Sequence, residues 1–352
     1  MYVDSRAKLA VGRLNMANPF WDGAEASQRR VVYKGAGHSD ADIRNKPHIG
    51  IANTFSEGSP AHIAMRSLAE AVKQGVWETG GVPVEFGVPS TCGNIAVGTE
   101  RMRYELAGRD AVAMGVEFVA SVHQFDGMVL MACCDNIIPG VIMGGIRTGI
   151  PSVVLTGGPM LPGMHDGRPV MTPDINVFGF QGEIPKDFDR MEDSACPCMG
   201  ACPVMGTANT MQILAEALGM SLPGSAVIPA VMADRVRAAR ESGRAAVRLA
   251  KEGIRPIDIM TREAIDNAWP STWPSAAPPT PSCTSWPSPM SWASPTRWTS
   301  STGGAISPAS AASNRPDRIR WWTCTTPAAC RRCRRSSSPI FTQVRGTWPA
   351  QP

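Results

Sequence analysis

The 352 residues are 43% hydrophobic and 18% charged, which is enough apolar content for a sizeable core and enough length for two or three domains. The net charge of +4 joins two unlike parts. Residues 269–352 hold nine Arg, no Lys and one acid, Asp317, a balance of +8, so residues 1–268 carry −4. No apolar run reaches the ~18 residues of a membrane span. The N-terminal MYVDSRAKLAVGRL lacks the basic flank and apolar core of a secretory signal, so a cytoplasmic location without a membrane partner is expected.

Residues 1–46 are polar and mixed, an irregular arm with a short helix. HIGIANTF (48–55) reads as a buried strand. Residues 60–80 place Ile63, Leu68, Val72 and Val76 near helical spacing, with Pro60 at the start and Gly80-Gly81 at the end. A strand follows at 82–89 and a helix at 108–124. GMVLMAC (127–133) is fully apolar, as strands covered on both faces are. A helix at about 139–149 leads to PSVVLTGG (151–158), another strand. Alternating strands and helices predict an α/β fold with a mostly parallel sheet flanked by helices. The stretch 160–192 reads as loop, and helices are predicted at about 207–218, 229–251 and 257–267.

Six of the ten Cys lie in this body, at Cys92, Cys133, Cys134, Cys196, Cys198 and Cys202. In a reducing compartment clustered thiols point to metal or catalysis before disulfides. ACCDNIIPG (132–140) sets Cys134 and Asp135 at a strand end. A thiolate there suits soft iron and the adjacent carboxylate a hard ion such as Mg²⁺. The plain alternative is a buried free Cys beside a helix N-cap Asp. CPCMGACPVMGTANT (196–210) offers Cys196, Cys198 and Cys202 where a helix opens, a pattern open to an iron–sulfur cluster, zinc or structural thiols. STCGNIAVG (90–98), with Cys92, reads by itself as a tight turn. His62 and His123 read as structural.

Four motifs in order, NTFSEGSPAH (53–62), GNIAVGTERMRYEL (93–106), CDNIIPGVIMGGIRTGIPSVVLTGGPM (134–160) and GACPVMGTANTMQILAEALGMSLPGSA (200–226), carry a resemblance. Over roughly residues 30–268 the chain resembles the dihydroxy-acid dehydratase and phosphogluconate dehydratase family. The resemblance implies an N-terminal α/β domain followed by a barrel-like second domain, and a homodimer. It implies conversion of a 2,3-dihydroxy or aldonic acid to a 2-keto acid, with an iron–sulfur cluster, [2Fe–2S] or [4Fe–4S], acting as Lewis acid, and in many members Mg²⁺. By residue, it makes Cys134 and Cys202 cluster ligands and Asp135 a Mg²⁺ ligand. Ala61 stands where [2Fe–2S] members carry a third cluster Cys, so Cys196 or Cys198 is a candidate replacement. Asn136 stands where a Lys is usual. Cys92 or Gly93 falls where a second acidic Mg²⁺ ligand is expected, which impairs that site or makes Cys92 a cluster ligand.

Residues 269–352 hold eight of the ten Trp, with abundant Pro and Ser and no surviving period. The resemblance implies a continuation like LAVDMALGGSTNTVLHL after Ala268. Written in GC-rich codons, with synonymous choices, and read one base on, it becomes WPSTWPSAAPPTPSCT, identical to residues 269–284. The expectation is therefore an arm at 1–46, an iron–sulfur dehydratase domain at 47–268, and an out-of-frame, disordered or non-native tail at 269–352. Such a tail replaces the second domain and its catalytic base, so the chain is expected to bind a hydroxy-acid site in part and to be inactive. The other reading is a non-catalytic iron–sulfur or zinc module whose basic tail contacts nucleic acid.

Overall fold

The apolar runs form four strands, β1 (His48–Asn53), β2 (Val82–Gly87), β3 (Gly127–Ala132) and β4 (Ser152–Thr156). All pair in parallel, in the order β2-β1-β3-β4. Every residue of β1, β3 and β4 is buried, while β2, at the edge, is only partly covered. The computed structural model describes residues 20–182 and 184–272. The non-native tail expected from residue 269 therefore falls, beyond Thr272, outside the described residues.

Before the sheet come α1 (Ser27–Gly35) and α2 (Asp40–Asn45), the latter capped by Ser39, whose hydroxyl accepts from the Asp42 N–H at 3.1 Å. Then follow α3 (Met65–Glu78), the one-turn α4 (Gly93–Ala96), α5 (Met102–His123) and α6 (Ile137–Thr148). α5 begins six residues before the predicted 108, so the polar MRYELA segment is helical. The stretch read as loop at 160–192 holds a hairpin, β5 (Gly163–His165) with β6 (Arg168–Val170), and two helices, α7 (Thr172–Gln181) and α8 (Phe188–Ala195). Three-residue strands are too short to show a period. The chain continues through α9 (Thr207–Ala217), α10 (Ala233–Glu252), α11 (Pro256–Ile259) and α12 (Arg262–Thr272). α12 runs past Ala268, four residues into the Trp-rich stretch.

Side-chain alternation puts two helical layers on the two faces. A Cβ added at Gly127 would meet Ala250 and Ile49, so that face packs against α10, which also crosses α3 closely. Gly75 and Gly243 make the crossing possible, since a Cβ at either would strike the other helix's backbone. Leu130 has the opposite parity and meets α6 at Gly145, on the layer formed by α5 and α6. No described helix is long and apolar enough to cross a membrane.

Two imidazoles are locked in this core without charge. His48 stacks on Tyr33 and lies against Trp21; His62, fully buried, shares a 3.0 Å hydrogen bond with the Thr54 hydroxyl. Burial pushes both from 6.5 down to about 4. The unfolded chain therefore takes up protons first as pH falls, so this stability is full above about pH 6.5 and is lost toward pH 4. We expect the urea midpoint to drop between pH 7 and 5, by up to about 3 kcal/mol per imidazole over the whole window. His48→Gln should flatten the profile; an unchanged slope in that variant would exclude His48 as its source.

Candidate metal centre

Open parallel sheets bind ligands beyond the carboxyl ends of their strands, where the strand order reverses. Here that point lies between β1 and β3, at residues 53–54 and 132–135. Thr54 closes the gap by donating its hydroxyl to Met131 O at 2.9 Å, and Ser90 donates to Thr54 O at 2.7 Å, which ties the loop after β2 to the same place. Cys134 follows β3 in a left-handed conformation, φ +68°, with 9% of its surface exposed.

Cys92 arrives from the loop after β2, Cys133 and Cys134 from the end of β3, and the Cys134 thiol lies near enough to the other two to shift their ionisation. The Cys134 thiol, with support from the Asn94 N–H, pulls Cys92 down to about 6. Cys133, fully buried, is also lowered, by Cys134 first and by the positive field of Arg235. Cys134, beside two sulfurs that ionise more readily, holds its proton far above the usual thiol range. Cys202 completes the set from the loop before α9. Its Sγ accepts from Asn94 Nδ2 at 3.2 Å, it feels the charge of Cys92, and burial raises it. Cys196 is exposed but close enough to Cys202 to act on it electrostatically, and Thr172 touches both. Cys198 looks elsewhere, with its Sγ accepting from Leu161 N at 3.3 Å.

Asp135 does not cap α6. The N-cap position is Asn136, without a side-chain cap bond, while Asp135 Oδ2 accepts from Thr207 Oγ1 at 2.8 Å. Asn136 joins Glu105 at 3.3 Å and Arg109 at 2.9 Å. Among the described residues, only His165, Asp166 and Asp187, on and beside the β5–β6 hairpin, bring three ligand atoms within 4.8 Å of one another. Cys196, Cys198 and Cys202 therefore do not converge on a single ion.

The Cys202 loop is held from behind. Gly200 N donates to Pro60 O at 2.8 Å and Ala201 N to Gly158 O at 2.9 Å. Gly158 N donates to Gln212 Oε1 at 2.7 Å, Gln212 Nε2 to Asn209 Oδ1 at 2.7 Å, and Asn209 Nδ2 to the carbonyls of Cys202 and Val204, both at 2.8 Å. This buried chain of amides runs from the end of β4 through α9 to the cysteine itself.

The sequence profile described as "Dihydroxy-acid/6-phosphogluconate dehydratase N-terminal" matches residues 46–273. The chain belongs to the dihydroxy-acid/6-phosphogluconate dehydratase family. It is 45% identical over 252 residues to the dihydroxy-acid dehydratase of Methanococcus maripaludis strain C7, an alignment covering 70% of this chain and 45% of that one. The corresponding enzyme of Halothermothrix orenii is 46% identical over 230 residues, 63% of this chain and 41% of that one. That of Desulfitobacterium hafniense is 40% identical over 257 residues, 71% and 45%. The chain thus spans about half the length of the curated relatives it matches.

Within this family member the structure brings Cys92, Cys134 and Cys202 to one mouth of the sheet, sets Asp135 at its rim and Cys196 just outside, and turns Cys198 away. Sequence reasoning passed over Asn209 and Gln212 because amides inside a helix carry no pattern of their own. It passed over Glu105 because only the fold shows which side of α5 is inward.

The amide chain predicts its own test. Gln212→Leu strands the Gly158 N–H and the Asn209 carbonyl in a dry interior, which costs about 1–3 kcal/mol for each group. Urea unfolding should show a loss of about 2 kcal/mol or more. A variant as stable as the parent would mean that the Cys202 loop is held by other contacts.

Proposed function

We propose that this chain is the cluster-binding half of a hydro-lyase that converts a 2,3-dihydroxy or aldonic acid to a 2-keto acid. Beyond family membership, one observation carries the reading. Cys92 and Cys134, on the loops that follow β2 and β3, lie at the switch point of a parallel sheet, Cys202 reaches the Cys92 loop through Asn94, and the Asp135 carboxylate adjoins Cys134 in the chain. Their donor chemistry fits an iron–sulfur cluster, which thiolates hold. Cys134 and Cys202 are the assigned ligands and Cys92 the third, in place of the Cys that Ala61 replaces. Cys196 is the reserve, and the turned-away Cys198 is dropped from the set. When bound, the cluster supplies a Lewis acid toward the C3 hydroxyl.

The chain's own residues do the rest. Cys134 sits where bulk water is largely excluded, and Cys202 is half-buried. Asp135, oriented by Thr207, offers oxygen to Mg²⁺, which binds through one or two carboxylates and keeps several waters. Loss of water across the C2–C3 bond also needs a base at C2, which the resemblance assigns to the second domain. The zinc-module reading is not carried forward, since the family match favours a dehydratase. The homodimer stands as a proposal too. The outer face of α5 exposes Leu106, Met114, Phe118 and Val122, apolar surface of the kind an interface covers.

The frameshifted tail fits this reading. The family match ends at residue 273, close to the break in composition at 269, and the shifted codons reproduce residues 269–284. The basic run RRCRR (331–335) is then a translation product without a nucleic-acid role.

Anaerobic reconstitution should give bound iron and sulfide with visible charge-transfer absorption, and Cys134→Ser should remove most of it. Full iron content in that variant would end the ligand assignment. For activity, the chain as given should turn over a dihydroxy or aldonic acid at least about 10²-fold more slowly than a gene with one base restored near codon 269, the effect of a missing general base. Equal 2-keto acid formation by the two, read as a hydrazone, would show that no base beyond residue 268 is needed.

A further inference from the structure

We infer that His165, Asp166 and Asp187 form a metal site of their own, away from the sheet, which takes one Zn²⁺ or a like first-row divalent cation through nitrogen and oxygen donors. Ligand atoms of these three residues lie within 4.8 Å of one another, the one such trio among the described residues. His165 Nε2 stands 2.5 Å from Asp187 Oδ2 and 3.6 Å from Asp166 Oδ2. The inference does not rest on the dehydratase reading, which concerns the thiols at the strand ends.

The local sequence builds the trio. The run His165-Asp166-Gly167-Arg168 is a two-residue hairpin turn, with Asp166 at φ +46° and Gly167 at φ +75°, the Asp-Gly form that joins β5 to β6. The turn fixes Asp166 beside His165, whose side chain is only 12% exposed. Asp187 comes from the other side, at the N-cap position of α8. An Asp there ordinarily accepts from the N–H groups of its own helix. This one makes no capping bond and turns its carboxylate to His165 instead. Neither carboxylate pairs with a Lys or Arg among the described residues, so one imidazole serves both. Two carboxylates and a neutral imidazole balance a divalent cation in charge. A mixed imidazole and carboxylate set suits Zn²⁺ better than Mg²⁺ or Ca²⁺, which take oxygen donors. Three protein ligands leave a position for water. The ion would close the hairpin onto the start of α8. The far end of α8 already lies against the hairpin, since a Cβ at Gly163 would strike the Ser194 carbonyl. That end is Ala195, the residue before Cys196.

Co²⁺ is the probe, since it stands in for Zn²⁺ and strongly shifts the proton resonances of an imidazole that binds it. Titrated into the 352-residue chain, Co²⁺ should give one set of hyperfine-shifted imidazole ring resonances, and added Zn²⁺ should abolish them. Co²⁺ held by cysteines shows sulfur charge-transfer absorption and shifts no imidazole ring, so the two are told apart. His165→Gln should remove the shifted resonances. Asp187→Asn should raise the Co²⁺ midpoint by about tenfold or more, since even an outer partner of a metal ligand is worth about 10–100-fold in affinity. Asp166→Asn should do the same. Its side chain is 71% exposed and Asn-Gly keeps the turn, so this variant tests the site even where the others misfold. Far-UV circular dichroism establishes that each variant folds. No shifted imidazole resonances in the parent, their persistence in His165→Gln, or an unchanged midpoint in either Asp variant overturns the inference. None of these outcomes touches the cluster reading, which stands or falls on iron and sulfide in Cys134→Ser.

Discussion

Everything at this site depends on one close approach of two backbones. Gly158, φ +83°, stands two residues past β4, and the cysteine loop passes over the residues that follow it at Gly200, φ +128°. A Cβ at Gly200 would lie 2.5 Å from Met160 N, and one at Gly158 would strike the carbonyl of Ile228. Side chains are excluded at both points, and the loop instead pairs in strand fashion, Pro159 with Ala201. Behind it, Arg235 is fully buried and donates to the carbonyls of Thr156, Ser225 and Ile228. A guanidinium spent on three carbonyls satisfies chain ends that have left the sheet ladder, which a dry interior otherwise penalises. Cys202 owes its position to this seam. Nothing between it and Cys134 in the sequence fixes their distance except the way the loop is stitched to β4.

The thiols show the electrostatic consequence. Three neighbouring sulfurs cannot all ionise in a low-dielectric pocket, so Cys92 and Cys133 fall and Cys134 rises. Charge on one sulfur raises the cost of ionising the next. The left-handed conformation of Cys134 adds about 1–3 kcal/mol of backbone strain, of the sort retained where geometry serves a ligand.

Much of this was legible in the sequence, and what was not has physical causes. β3 was plain because a fully apolar run of seven residues has one reading in a covered sheet. The strand order was not, since parallel register leaves no mark on a strand that is buried on both faces. The hairpin and two helices inside 160–192 escaped because short, polar elements depend on local turn bonds such as Asp174 to the Met171 N–H. At the site, Cys134, Cys202 and Asp135 could be singled out by residue type. Glu105 could not. In RMRYELA it looks like any acid on a helix surface, and only the packing of α5 against α6 through Gly140 and Gly144 turns it inward.

That inward turn bears on how one sheet edge can offer donors of two kinds. Cys134 and Asp135 are neighbours in sequence and cannot point the same way where the chain leaves the strand. With φ positive at Cys134, the thiol goes into the pocket, while the carboxylate of Asp135 stays half-buried and reaches Thr207 at the start of α9. The same division recurs across the mouth, where Cys92 meets Cys134 while the next residue, Gly93, clears space for the carboxylate from α5. The thiols of Cys92 and Cys134 therefore face each other, while the Asp135 carboxylate turns to α9 and that of Glu105 lies with Asn136 at the α5–α6 contact. Backbone direction at these chain turns thus separates thiols from carboxylates, and Thr207 and Asn136 hold the carboxylates where they point.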